Sequence, residues 1–183
     1  MTDTKTLKSK ICLVGEKAVG KTSMIRRYIL NMYDDHYLTT VGTKISKKEL
    51  RVFHPEKDLL VDLDMTIWDI MGEKGFRELL KEAYFYGANG ILAVTDITRR
   101  KTLDDLDDWI DGLEGVVGKV PTIIAVNKSD LTSIAQYGER DVEQIARAFE
   151  CEYILTSART GENVEEAFRR LGTLVTTFQL PSG

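Results

Sequence analysis

The stretch GEKAVGKT, Gly15 through Thr22, decides the fold, because it joins two elements of opposite character. It directly follows the apolar run Ile11–Val14, which reads as a buried strand, and directly precedes Met24, Ile25, Tyr28 and Ile29, which share one face of a helix. A Gly-x-x-x-x-Gly-Lys-Thr frame between a strand and a helix is a phosphate cradle, whereas a merely structural glycine turn needs neither the lysine nor the threonine. Glycines at Gly15 and Gly20 let the backbone N–H groups from Glu16 to Ser23 turn inward around phosphate oxygens, and the helix N-terminus adds its positive end. Lys21 supplies a mobile charge for the terminal phosphates, and Thr22 offers a hydroxyl to Mg²⁺. Lys17 breaks the pattern, since a small residue there would leave more room for the last phosphate.

Outward from this loop the chain alternates. Short apolar runs at Ile91–Thr95, Thr122–Val126 and Tyr153–Leu155 read as further buried strands separated by helical segments, which predicts a mostly parallel α/β sheet covered on both faces. Apolar residues alternate from Val61 to Ile67, while Ile45–Phe53 is polar enough for an edge, and the turn-rich His54–Asp58 joins the two as an antiparallel hairpin. The expectation is about six strands, one of them an antiparallel edge strand, with about five helices on both faces. Amphipathic spacing assigns to the core Leu103, Leu106, Trp109, Ile110 and Leu113 of one helix, Val142, Ile145, Ala146 and Phe149 of another, and Val164 through Phe178 of the last. The acidic residues Asp104, Asp105, Asp107, Asp108 and Asp111 read as a solvated face, with partner docking as the alternative.

At 183 residues and 43% hydrophobic, the chain suits a single domain with one well-buried core. No repeat or linker divides it. A net charge of -4 gives no global attraction to nucleic acid, and no nucleic-acid partner is expected. Cys12 and Cys151 lie in apolar runs and suit buried thiols of a reducing compartment, so a cytoplasmic monomer is expected. The chain begins Met-Thr and ends in QLPSG, with neither a myristoylation signal, a prenylation signal nor an apolar span, so visits to a membrane are left to a recruiting partner. His36 and His54 read as loop residues rather than metal ligands, and the pairs Arg26-Arg27, Arg99-Arg100 and Arg169-Arg170 as solvent-facing.

The base is named elsewhere. Asn127-Lys128-Ser129-Asp130 follows the strand Thr122–Val126, at the sheet edge where open α/β folds bind ligands. A carboxylate at Asp130 can accept from guanine N1–H and its 2-amino group, whereas adenine offers an acceptor at N1 and nothing at C2.

Thr156-Ser157-Ala158-Arg159 completes the set, and with the phosphate loop and NKSD the chain resembles the Ras-like small GTPases from about Lys10 to Phe178. WDIMG (Trp68–Gly72), GFRELL (Gly75–Leu80), AYFYGANG (Ala83–Gly90), TDITRRKTLDDL (Thr95–Leu106) and TSARTGENVEEAF (Thr156–Phe168) are closest to the Rab-type pattern. The resemblance implies a G-domain that binds GTP or GDP with Mg²⁺, hydrolyses GTP, and meets protein regulators and effectors through two switch loops. It implies that Tyr33 packs beside the guanine, Tyr37 closes over the phosphates, and Thr40, rather than Thr39, joins Thr22 and Asp69 as the Mg²⁺ set. Gly72 would give its N–H to the γ-phosphate, Lys128 would lie along the base, and Ala158, flanked by Ser157 and Arg159, would donate to guanine O6.

Two departures from the family bear on hydrolysis. Glu73 stands where the family usually has glutamine, and an ionised carboxylate can hold a water but cannot donate to the transition state. Lys17 stands where a small residue would admit an arginine finger. Three readings follow: hydrolysis is impaired, the pair forms another catalytic arrangement, or both side chains face solvent. The functional readings are correspondingly a GTP/GDP switch with slow or altered hydrolysis, a scaffold held in the GTP form, and, more remotely, a small-molecule kinase sharing the phosphate loop.

Overall fold

The computed structural model describes residues 4–36 and 40–181. Its strands are β1 (Thr4–Val14), β2 (Thr43–His54), β3 (Leu59–Ile70), β4 (Gly90–Asp96), β5 (Thr122–Asn127) and β6 (Glu152–Leu155). They form a six-stranded sheet in the order β2-β3-β1-β4-β5-β6. β2 pairs antiparallel with β3, from Thr43 opposite Ile70 to His54 opposite Leu59, and the other neighbouring pairs are parallel. The chain leaves β1 first toward β3 and later toward β4, so the sheet order switches there. The crevice beyond the carboxyl ends of these strands is where such sheets take ligands.

Period-two alternation makes two cores. Ile11 and Leu13 of β1, Leu92 and Val94 of β4, and Ile123 and Ala125 of β5 face Met24, Phe168 and Leu171. Cys12 and Val14, Ile91 and Ala93, and Ile124 and Val126 face Phe85, Trp109 and Leu113. The first layer belongs to α1 (Lys21–Leu30) and α6 (Val164–Gln179), the second to α2 (Lys74–Phe85), α4 (Leu106–Val117) and α5 (Glu139–Ala148). The short α3 (Arg100–Asp104) precedes α4, and Ser129–Ile134 forms 3₁₀ turns after β5. Among the described residues no helix is long and apolar enough to cross a membrane.

The six-stranded α/β architecture with its antiparallel edge strand is as expected, but details differ. β1 begins at Thr4 rather than Ile11, because its polar first half pairs with β3 from Thr4 opposite Leu60, while β4 joins only at Ile11. The apolar spacing through Leu103–Leu113 reads as one helix, yet the chain leaves helical geometry at Asp105 (φ -92°, ψ 3°), so that the described residues form six helices where about five are expected. Phe178 is exposed although it stands seven residues after Leu171 and three after Val175 on the same helical face: it lies in the last turn of α6, beyond the buried stripe that ends at Thr176. His54 is not a loop residue but the buried end of β2, with Nε2 3.0 Å from the Leu180 carbonyl. Cys12 is buried and Cys151 half-buried, both as free thiols, and burial pushes them up to about 12 and about 11.

Candidate functional site

β1 ends at Val14, and the chain wraps from Gly15 into the N-terminus of α1 at Lys21. Ala18 (φ 63°) and Gly20 (φ 103°) take left-handed conformations, which curl the loop upon itself. A Cβ at Gly20 would sit 2.2 Å from Asn127 Nδ2, so this position needs both the backbone freedom and the smallness of glycine. The Lys21 ammonium is buried and donates to the carbonyls of Gly15 (2.7 Å) and Glu16 (2.8 Å). Burial lowers its pKa to about 8, opposed by Asp69 and Glu16. A cation so desolvated favours an anion brought beside it.

Three oxygens converge at the start of α1. Thr22 Oγ1 lies 2.9 Å from Thr40 Oγ1 and donates to Asp69 Oδ2 at the end of β3. Asp69 is buried, and its other oxygen, Oδ1, has no hydrogen-bond partner among the described residues. Burial raises its pKa, against the opposing hydrogen bond from Thr22 and the charges of Lys21 and Lys44. Two hydroxyls and an under-satisfied carboxylate are hard oxygen donors, and this donor set fits Mg²⁺.

The sheet edge also brings up the segments expected to recognise the base. Asn127 is buried and staples two loops together: its Nδ2 donates to the Val19 carbonyl (2.9 Å), while its Oδ1 accepts from Thr156 Oγ1 (3.3 Å) and the Ala158 N–H (3.2 Å). The amide expected to face guanine O6 is therefore directed at Asn127 in this structure. Lys128, itself left-handed (φ 63°), donates to the Ala18 carbonyl (3.1 Å) and pairs with Asp96 (2.6 Å). Asp130 is exposed, and Ser157 Oγ donates to its Oδ1 at 2.7 Å. Tyr33 lines the cavity formed with the phosphate loop; Tyr37 lies outside the described residues.

Lys17, Ser23, Thr40, Gly72 and Glu73 line that same cavity. Gly72 is pressed against the phosphate loop so closely that a Cβ would meet Lys17 N at 2.4 Å. One residue later the Glu73 carboxylate reaches the Lys17 ammonium at 3.7 Å, with both side chains roughly half exposed. The solvent-facing reading of these two separately does not describe this geometry: they meet each other across the loop. Glu16 and Val19 differ from the other loop residues. The Glu16 side chain turns away, accepting from Trp109 Nε1 at 3.1 Å, and the Val19 side chain belongs to the core, which leaves their backbones to face a ligand.

Several contributors were not legible as site residues. Arg27 and Arg99, read as solvent-facing, hold loops: Arg27 donates to the carbonyls of Ala158 (2.8 Å) and Arg159 (2.6 Å), and Arg99 bonds both Asp96 (3.0 Å) and the Lys17 carbonyl (2.7 Å). Asp96 is the hub, buried between Lys128 and Arg99. Its position directly at the end of the apolar run Ile91–Thr95 was the available signal.

Fold, phosphate loop and base loops together define a G-domain. Residues 10–177 match the model of the Ras family, and the chain belongs to that family, a small GTPase of the nucleotide-binding switch class. Within it the similarity is to Rab proteins. The chain is 33% identical over 170 residues to Ras-related protein Rab-36 of Homo sapiens (91% of this chain, 61% of that protein). It is 29% identical over 169 residues to Rab-8B of Homo sapiens (92% and 78%). It is 31% identical over 161 residues to RABA2d of Arabidopsis thaliana (87% and 71%). The chain is thus a Rab-type small GTPase.

Proposed function

We propose that this single G-domain binds GTP and GDP with Mg²⁺ and hydrolyses GTP slowly, so that its GTP-bound surface persists long enough to hold a protein partner. The observation that carries the slow clock is the Lys17–Glu73 contact at 3.7 Å. Lys21 and the loop N–H groups would bind the β and γ phosphates, and Asp130, Lys128 and Ala158 the base. Thr22, Thr40 and Asp69 would hold Mg²⁺, which when bound neutralises phosphate charge during transfer. The Gly72 N–H would meet the γ-phosphate, so that its loss frees the segments containing Thr40 and Gly72. Glu73, drawn to Lys17, can accept from the attacking water, whereas a carboxylate gives no donor to the transition state. The Lys17 stem occupies the approach a partner's arginine would use.

The nucleotide retained on purification and single-turnover hydrolysis test this reading. Guanine nucleotide is expected, with hydrolysis slower than in Glu73→Gln or Lys17→Gly. A native rate matching either variant overturns the slow clock, and retained adenine nucleotide overturns the whole assignment. A scaffold held in the GTP form is the limit of the same geometry, marked by retained GTP and no turnover.

A further inference from the structure

The segment after Gly72 is tied to the neighbouring helices by charges that phosphate binding does not use. Lys74, the first residue of α2, places Nζ 3.3 Å from Asp105 Oδ2, 3.7 Å from Asp108 Oδ2 and 4.0 Å from Glu16 Oε1. Asp105 is the residue at which α3 breaks from α4, and Lys101 shares its carboxylate at 2.8 Å. Glu16 is anchored in turn by the indole N–H of the buried Trp109. One ammonium thereby touches the phosphate loop, the start of α2 and the bend between α3 and α4.

The burial of its partners gives this contact direction. The Asp105 and Glu16 side chains are only 14% and 19% exposed, so their attraction to a fixed cation is screened less than that between surface charges. The Lys101 ammonium beside it, opposed by burial and helped by Lys74, holds Asp105 below the ordinary carboxylate range. Lys74 does not line the phosphate-loop cavity, whereas its chain neighbour Glu73 does. Glu73 is the extended residue that caps α2 (φ -98°, ψ 119°), so fixing Lys74 on one side fixes the direction in which Glu73 projects on the other.

We propose that Lys74 is a positioning residue for hydrolysis: by bridging Asp105, Asp108 and Glu16 it holds the start of α2 so that Glu73 stays opposite Lys17. The inference rests on the reading of Lys17 and Glu73 given above. Lys74 acts on the reaction only through Glu73. This predicts coupling rather than additivity between the two positions.

The test uses the full chain loaded with GTP and Mg²⁺. Lys74→Glu should shift the single-turnover rate in the same direction as Lys17→Gly, by about threefold or more in the native background and less than about 1.5-fold in a Glu73→Ala background. It should also speed amide exchange across α2, while Lys74→Arg restores native rate and protection. Asp105→Asn combined with Asp108→Asn should reproduce the effect from the partner side. Equal rate effects in both backgrounds, or unchanged exchange across α2, overturn the proposal. If the native protein does not turn over GTP, slow hydrolysis gives way to the GTP-held scaffold and the role of Lys74 in hydrolysis falls with it, while unchanged α2 exchange in a Lys74→Glu protein that still turns over GTP overturns the tether alone.

Discussion

Lys128 Nζ lies 2.6 Å from Asp96 Oδ2, and this contact joins the segment assigned to the base to the loop assigned to the phosphates. The same carboxylate oxygen accepts from Arg99 Nε at 3.0 Å, and Arg99 continues to the Lys17 carbonyl. Lys128 meanwhile donates to the Ala18 carbonyl. Two consecutive carbonyls of the phosphate loop are therefore held by two cations that share one buried acid. Strands β4 and β5 set this register, since Asp96 pairs with Asn127 across their parallel ladder.

Removing the hub should loosen the loop without touching a phosphate contact. Asp96→Asn keeps the volume but loses charge-assisted hydrogen bonds, each of which contributes about 1.5–3 kcal/mol. Because Lys128 and Arg99 are each about a third or more exposed, water compensates in part, and a loss of about 2 kcal/mol in unfolding free energy is expected. The pH dependence has a definite sign. Burial alone would raise the Asp96 pKa, but hydrogen bonds from Lys128 and Thr98 outweigh it, and the folded value lies below the ordinary 3.8. The stabilisation is therefore complete above that ordinary value and fades as pH falls through the lower folded one. Denaturant melts of native and Asp96→Asn proteins should differ at neutral pH and converge in acid; a constant gap would show that Asp96 titrates normally.

Ser157 and Asp130 separate orientation from recognition. Asp130 carries the assigned contacts to guanine, and Ser157 Oγ donates to it at 2.7 Å. Asp130→Asn should weaken GTP binding by about a hundredfold or more, since two charge-assisted hydrogen bonds are lost, and should improve binding of xanthosine triphosphate. Ser157→Ala should keep guanine preference and cost only about tenfold, the worth of one orienting hydrogen bond. Titration of both nucleotides against each variant checks the pair. Equal losses in the two variants would contradict the division of roles.

The distribution of what was legible follows from chemistry. Residues whose backbone or charge must meet phosphate or base keep a local spacing, so Gly15–Thr22, Asn127–Asp130 and Thr156–Arg159 could be read directly as a G-domain resembling the Ras-like family. The sheet edge then brings them together. Arg27 and Arg99 were illegible because each acts on a carbonyl far along the chain, Ala158 and Lys17 respectively, and a carbonyl has no sequence signature. The Asp105 break escaped for a related reason: apolar periodicity continues from Leu103 through Leu106, so the pattern is blind to one residue off the helix. His54 was hidden by its neighbour Pro55, which signals a turn, while the strand continues one residue into it.

Arg27 should govern how long nucleotide stays bound. Its guanidinium leaves α1 and fastens the loop after β6 through the carbonyls of Ala158 and Arg159. Arg27→Ala frees that loop while leaving the Ala158 amide and the phosphate loop intact, and Arg27→Lys cannot reproduce the planar, two-point geometry. Both variants should release bound GDP about tenfold faster, the equivalent of one lost charge-assisted hydrogen bond. Displacement of a fluorescent GDP analogue would show this. Native-like release from Arg27→Ala would confine Arg27 to the surface.

Gly72 should decide whether the site distinguishes GTP from GDP. Its Cα lies so near the phosphate loop that an alanine Cβ would fall 2.4 Å from Lys17 N and 2.7 Å from Lys17 Cα, both backbone atoms that cannot swing aside. Gly72→Ala must therefore move the segment after β3 away from the loop, carrying Glu73 from Lys17 and the Gly72 N–H from the place assigned to the γ-phosphate. Lys21, Thr22 and the base loops are untouched by that displacement, so GDP affinity should stay within about twofold of native while GTP affinity falls about tenfold, one backbone hydrogen bond to a charged oxygen. Paired titrations with GDP and a non-hydrolysable GTP analogue measure the ratio. An unchanged ratio would mean that the close approach of Gly72 serves packing alone.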